Sequence, residues 1–150
     1  MRILLQIAIF FAVVAFIVGI FKLFEIKNRP VITEEAFIMK PTVKIKPNSF
    51  QDVYCKMMIT DVKYATQAIS KNGKSWFFDD LGCMLKWSKD KDLKDDITLW
   101  VYTIDTNRWI KFKDAWYQSG KNTPMKYGFG AYEVKQNGFI DSKTLKSKIK

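Results

Sequence analysis

Cys55 and Met57, separated by a single lysine, are the two residues whose types and spacing most directly suggest chemistry. In a strand over residues 54–62, positions two apart point to the same face, so a thiol and a thioether would stand side by side. Two soft sulfur donors on one face suit a thiophilic ion such as Cu(I). The chain contains no histidine, so any transition-metal site must rest on sulfur. Met58 would point to the opposite face and reads as a core residue. Cys83 and Met84 fall on a stretch with helical spacing and read first as packing residues, with an approach of one of them to the metal left open. Asp79 and Asp80, just ahead of that stretch, read as helix caps, because a hard carboxylate is a poor match for Cu(I).

Other chemistries lack their residues. Neither cysteine belongs to a Cys-x-x-Cys pair, which excludes a thioredoxin-type centre and a zinc ribbon on spacing, while a disulfide between Cys55 and Cys83 remains open in an oxidising compartment. There is no histidine base, no Gly-x-Ser-x-Gly and no phosphate-cradling glycine loop, so the chain does not read as an enzyme. The formal net charge is +10, carried mostly by lysine. Arg108 is the sole arginine after residue 29, a poor composition for bidentate phosphate or guanine recognition, so nucleic acid is not expected as a partner. A solvated lysine surface is the simpler reading.

The elements that must position these sulfurs follow from the chain in order. Residues 1–25 read as a transmembrane signal anchor: the apolar run from Ile3 to Phe21 is broken only by Gln6 and Gly19, and no small-x-small cleavage site closes it. Arg2 precedes the run and Lys22, Lys27 and Arg29 follow it. The positive-inside tendency alone would leave the domain in the cytoplasm, although large domains are translocated largely regardless of such charges. Residues 26–49, with Pro30, Pro41 and Pro47, read as an extended linker with an edge strand near Val43 to Lys46.

From Asp52 onward the pattern is short strands and turns. Strands are expected over 54–62, 64–70 and 75–78, with a hairpin turn at Asn72-Gly73 and a helix over 81–88. A charged loop over 89–96 precedes strands at 97–104 and 108–112, a helical turn at 114–118, a strand at 127–134, a turn at Asn137-Gly138 and a terminal helix over 142–149. The order of a sulfur-bearing entry, a strand, Asn-Gly, Phe-Phe-Asp or Phe-Ile-Asp and a helix occurs twice. The fold class is therefore α+β: two small related strand-strand-helix modules, about 50–96 and 97–150, packed as one domain after the N-terminal helix. Met57 and Met125 would then occupy equivalent entrances, and pseudo-twofold packing could join them in one sulfur site.

Cys55-Lys56-Met57, the block Phe77 to Met84 (Phe-Phe-Asp-Asp-Leu-Gly-Cys-Met) and the block Thr123 to Ala131 beginning Thr-Pro-Met together resemble the NosL family of nitrous oxide reductase accessory proteins. The stretch from Trp100 to Ala115 fits the central segment of that family. The resemblance covers about residues 50–150. It implies a small α+β protein on the outer, periplasmic side of the cytoplasmic membrane that binds Cu(I) and supplies it to the copper-sulfide centre of nitrous oxide reductase or another copper acceptor. It also implies the metal ligands Cys55, Met57 and Met125. Family members are commonly lipoproteins with a cysteine ending the signal peptide, whereas this chain has an apolar anchor without one. The contrasting expectation, from another class, is a membrane-tethered assembly module for a respiratory enzyme that binds no metal, its sulfurs merely packed.

Overall fold

Thr66-Gln67-Ala68-Ile69-Ser70 is buried along its whole length, and a strand in that condition must be covered on both faces and paired on both edges. The computed structural model, which describes residues 2–27, 31–32, 45–91 and 96–149, places it at the middle of an antiparallel sheet. In chain order the elements are α1 (Arg2–Lys27), β1 (Val31–Ile32), β2 (Thr66–Ser70), β3 (Lys74–Phe78), α2 (Leu81–Asp90), β4 (Ile97–Tyr102), β5 (Trp109–Lys111), β6 (Trp116–Gln118), β7 (Gly130–Tyr132) and α3 (Ser142–Lys148). Five strands pair in the order β1-β3-β2-β4-β5, and β6 and β7 form a separate two-stranded sheet. The protein is α+β, as the sequence implies.

Alternation along the strands sorts the core into two sides. Ala68, Phe78 and Val101 face the apolar side of α2, where Trp87 packs at a tilt against Trp76 and Phe78, with centroids 5.1 and 5.3 Å away. Tyr117, Leu145 and Ile149 complete this cluster from β6 and the C-terminal helix. The opposite face is closed by the segment before β2: Ile45, Ile59 and Ala65 pack on Phe77, and Phe50 stacks on the Phe77 ring at 4.3 Å. Each fully buried side chain of this size contributes about 1.5–3 kcal/mol of transfer free energy. The buried Tyr117 hydroxyl donates to the Phe112 carbonyl at 2.6 Å, which satisfies its polar end.

Asn72-Gly73 does join β2 to β3, with Gly73 at φ 80, and Asp80 caps α2 by accepting from the Gly82 N–H at 3.1 Å. Other expectations are corrected. Residues 53–55 form a turn instead of a strand, and the extended partner of Gln51 is Met58, in an isolated antiparallel bridge. The expected helical turn at 114–118 is a 3-10 turn over Phe112–Asp114 followed by β6. The strand expected over 127–134 is only Gly130–Tyr132, because residues 123–128 fold into a tight loop. β4, from the half 97–150, pairs with the whole of β2, from the half 50–96, in one sheet, and after Asn137-Gly138 the chain does not return beside β7 but bridges Tyr117 through Ile140.

Most of the linker expected over 26–49, including half of the edge strand at 43–46, lies outside the described residues, as does the middle of the loop over 89–96. Within the linker, Val31 and Ile32 pair with Ser75 and Lys74 at the edge of the sheet. In α1, Phe10, Phe11, Val13, Val14, Phe16, Ile17, Val18, Ile20 and Phe21 are all exposed. Among the described residues, no helix is long and apolar enough to cross a membrane.

Candidate metal centre

The turn that carries Cys55 is built by Asp52. The Asp52 N–H donates to the Met57 carbonyl at 2.8 Å and the Lys56 N–H donates back to the Asp52 carbonyl at 3.0 Å, closing the chain on itself with Lys56 in the left-handed region at φ 68. The wholly buried Asp52 side chain fills the turn. Its Oδ1 accepts from the N–H groups of Tyr54 at 2.6 Å and Cys55 at 3.0 Å, and its Oδ2 accepts from the Asp79 N–H at 2.9 Å. Asp residues favour such turns because the side chain replaces the missing backbone acceptor. One carboxylate thus ties the Cys55 turn to the junction of β3 and α2, helped by a hydrogen bond from Val53 N–H to the Phe77 carbonyl at 3.2 Å.

This junction brings four potential ligands together. Asp52, Cys55, Asp79 and Cys83 each direct one donor atom into a space where all four atoms lie within 4.8 Å of one another. The Cys55 thiol donates to Asp79 Oδ1 at 3.6 Å, and both cysteines are free thiols. Cys83 sits on the first turn of α2 and is fully buried; Cys55 is partly exposed. Asp79, 2% exposed, leaves its Oδ2 without a hydrogen-bond donor among the described residues. An orphaned buried carboxylate oxygen is costly, and a proton or a metal cation is what would satisfy it.

The electrostatics agree with that need. Burial pushes Asp79 up to about 7, with further upward contributions from its hydrogen bond to Asp52 and the charges of Asp52 and Asp80. Cys55 is pushed up to about 11, first by burial and then by the Asp52 and Asp79 charges against a lowering contact with the Met57 backbone. Burial and the Asp52 charge raise Cys83 further still. Without a cation the two thiols therefore hold their protons, and Asp79 holds its own up to about pH 7; a bound cation reverses the preference, because ligands must be deprotonated.

The loop bearing Met125 is fastened to the same junction. The Met125 N–H donates to Asp80 Oδ2 at 3.0 Å, and Thr123 Oγ1 accepts from the Gly128 N–H at 3.1 Å. Lys126 and Gly128, both at positive φ, turn the chain on either side of Tyr127. The Tyr127 ring packs against Gly82, so close that a Cβ there would stand 2.1 Å from the ring carbon Cγ. Only glycine fits at that position of α2. Burial and then the nearby Cys83 raise the Tyr127 hydroxyl.

The sequence-expected ligands occupy different situations. Cys55 is in the cluster, and Met125, partly buried, packs with it against the main core. Met57 is 47% exposed and Met58 44% exposed, because the reversal at 53–56 replaces the strand on which Cys55 and Met57 would share a face. Met58 is accordingly not the core residue that a regular strand would make it. Asp52, Asp79 and Cys83 are not among the ligands expected from sequence. Asp52-x-x-Cys55 carried a usable signal, an aspartate opening a turn, and Cys83 stands directly after the capped Gly82.

No family model matches the sequence, and no curated protein matches it. Among solved structures the chain is similar to the crystal structure of the copper chaperone NosL from Shewanella denitrificans, with a TM-score of 0.54 at 15% identity, over 73% of this chain and 87% of that one. The NosL-like fold that the sequence motifs imply is the fold this chain adopts.

Proposed function

We propose that this protein is a membrane-tethered Cu(I) carrier that delivers copper, as a NosL-like chaperone, to the copper-sulfide centre of nitrous oxide reductase. The observation that carries this reading is the convergence of Cys55 and Cys83 with the orphaned Asp79 carboxylate on a NosL-like fold. Cu(I) prefers thiolate and thioether donors in low coordination. Cys55 is the anchoring ligand, with Met125 as its companion from the facing loop. Met57, at the exposed lip of the turn, is the sulfur that meets the ion first and that a partner's ligands displace. Asp52 and Asp79 supply negative charge that favours a cation without competing as soft donors. A carrier of this kind passes its cargo by ligand exchange and needs no catalysed step.

Anaerobic Cu(I) titration of the full chain against a competing chelator tests the reading. One tight equivalent is expected; Cys55→Ser weakens it about a hundredfold or more, and Met125→Leu and Met57→Leu weaken it about tenfold each, roughly 1.4 kcal/mol. No binding above background would overturn the carrier and leave the metal-free assembly module. The two carboxylates favour a second reading, a borderline divalent ion such as Zn(II). Tight Zn(II) binding that excludes Cu(I) would decide for it.

The same proposal places the domain outside the cytoplasmic membrane. The tether in this proposal rests on the exposed apolar side chains at successive positions of α1, which an apolar surround would cover, and the outer side rests on the resemblance to the NosL family. Protease added to intact spheroplasts is expected to digest the domain; full protection in intact spheroplasts with digestion only after lysis would place it inside.

A further inference from the structure

We propose that Cys55 and Cys83 are an oxidative modification site, in which a low-molecular-weight disulfide converts the two thiols into an intramolecular disulfide and takes the anchoring sulfur of Cys55 away from the metal. The loss of metal binding rests on the carrier reading above; the oxidation itself does not.

The geometry separates the roles of the two sulfurs. Both are free, and their sulfurs belong to the set of donor atoms lying within 4.8 Å of one another. Cys55 is partly exposed on a turn whose neighbours Tyr54, Lys56 and Met57 are exposed as well, so a small oxidant can reach its sulfur. Cys83 is wholly buried on α2, so nothing larger than its neighbours reaches it from outside. Cys55 is therefore the attacking thiol and Cys83 the resolving one. A disulfide needs its sulfurs about 2.05 Å apart, and Cys55, on a turn, is the side free to make the approach, whereas Cys83 is fixed in the packed first turn of a helix.

The reaction balances in two exchanges. The Cys55 sulfur attacks one sulfur of RSSR, forming the Cys55–SR mixed disulfide, and the Cys55 proton leaves with the expelled RS⁻ as RSH. The Cys83 sulfur then attacks Cys55 Sγ, forming the Cys55–Cys83 bond and expelling the second RS⁻, which takes the Cys83 proton. Two protein thiols are oxidised and one small disulfide is reduced to two thiols. Asp52 holds the Cys55 turn against the N-terminus of α2, which keeps the resolving sulfur within reach throughout.

Metal-free, full-length protein in detergent, incubated anaerobically with glutathione disulfide, tests the proposal by intact mass and thiol count. The wild type is expected to lose both thiols and two hydrogens in mass, with no glutathione retained and a Cys55–Cys83 cross-linked peptide after digestion. Cys83→Ser is expected to retain one glutathione on Cys55, and Cys55→Ser to remain unmodified. A wild type that keeps glutathione on Cys55 with Cys83 free, or in which neither thiol reacts, overturns the proposal; the wild-type result decides alone if a variant does not fold. Cu(I) titration of the oxidised protein is expected to show the tight equivalent lost and restored by reduction. Retained binding in the oxidised form overturns the switch. A disulfide that forms in a protein binding no Cu(I) even when reduced overturns the carrier reading and leaves the oxidation site standing.

Discussion

Asp52→Ala is expected to lower the stability of the domain by about 3–6 kcal/mol and to abolish tight metal binding. The Asp52 carboxylate accepts from three backbone N–H groups, those of Tyr54, Cys55 and Asp79, and is itself wholly buried. Truncation to a methyl group removes the acceptor for all three at once, and a backbone donor stranded without a partner costs about 1–3 kcal/mol. The turn can relieve part of this by opening toward water, which moves Cys55 away from Cys83 and Asp79. Stability and site geometry therefore fail together. Asp52→Asn separates the contributions: its Oδ1 still accepts from Tyr54 and Cys55, while its amide presents N–H to the N–H of Asp79. It is expected to cost about 1–3 kcal/mol. Urea unfolding measures both variants, and a loss below about 1 kcal/mol for Asp52→Ala would show that the turn is held by something other than this carboxylate.

Asp52 is harder to read in the sequence than Cys55 for a physical reason. Residue chemistry is local: a thiol next to a thioether in a chain without histidine names its metal class wherever the chain goes. Hairpin and cap signals are nearly as local, which is why Asn72-Gly73 and the Asp80 cap are where the pattern puts them. Tyr54 to Val62 is different. Its aromatic, sulfur-bearing and β-branched residues have strand propensity, but propensity for strands is decided by packing, and here Asp52 captures the backbone donors first and reverses the chain. Once the chain reverses, the period-two argument that paired Cys55 with Met57 no longer holds. Cys83 was hidden in the opposite way. It looked like a packing residue because its helix is amphipathic, and it is indeed buried; that its sulfur faces the Cys55 turn depends on Val53 docking on the end of β3, far away in sequence.

Asp79→Asn is expected to stabilise the metal-free domain by about 2–4 kcal/mol at pH 8 and to flatten its dependence on pH. Burial, then the Asp52 hydrogen bond and charge, push Asp79 from 3.8 up to about 7. An acid raised in the folded state keeps a proton that the unfolded chain releases. Its contribution is fully present below about pH 4 and is lost as pH rises to about 7, at roughly 1.4 kcal/mol per pH unit, and this group adds no further loss above that. Asparagine is the neutral stand-in for the protonated acid: its oxygen still accepts from the Cys55 thiol, and its amide can donate to the Asp52 carboxylate. Denaturant unfolding at pH 5 and pH 8 reads the effect as a gap between variant and wild type that opens with pH. A gap that stays constant would mean Asp79 is ionised in the folded state even at pH 5. The variant also removes the carboxylate charge that favours a cation, so Cu(I) affinity is expected to fall while stability rises. That opposition is what a functional site shows when its strain exists for a ligand: the metal-free protein carries a buried carboxyl that packing alone would replace with an amide.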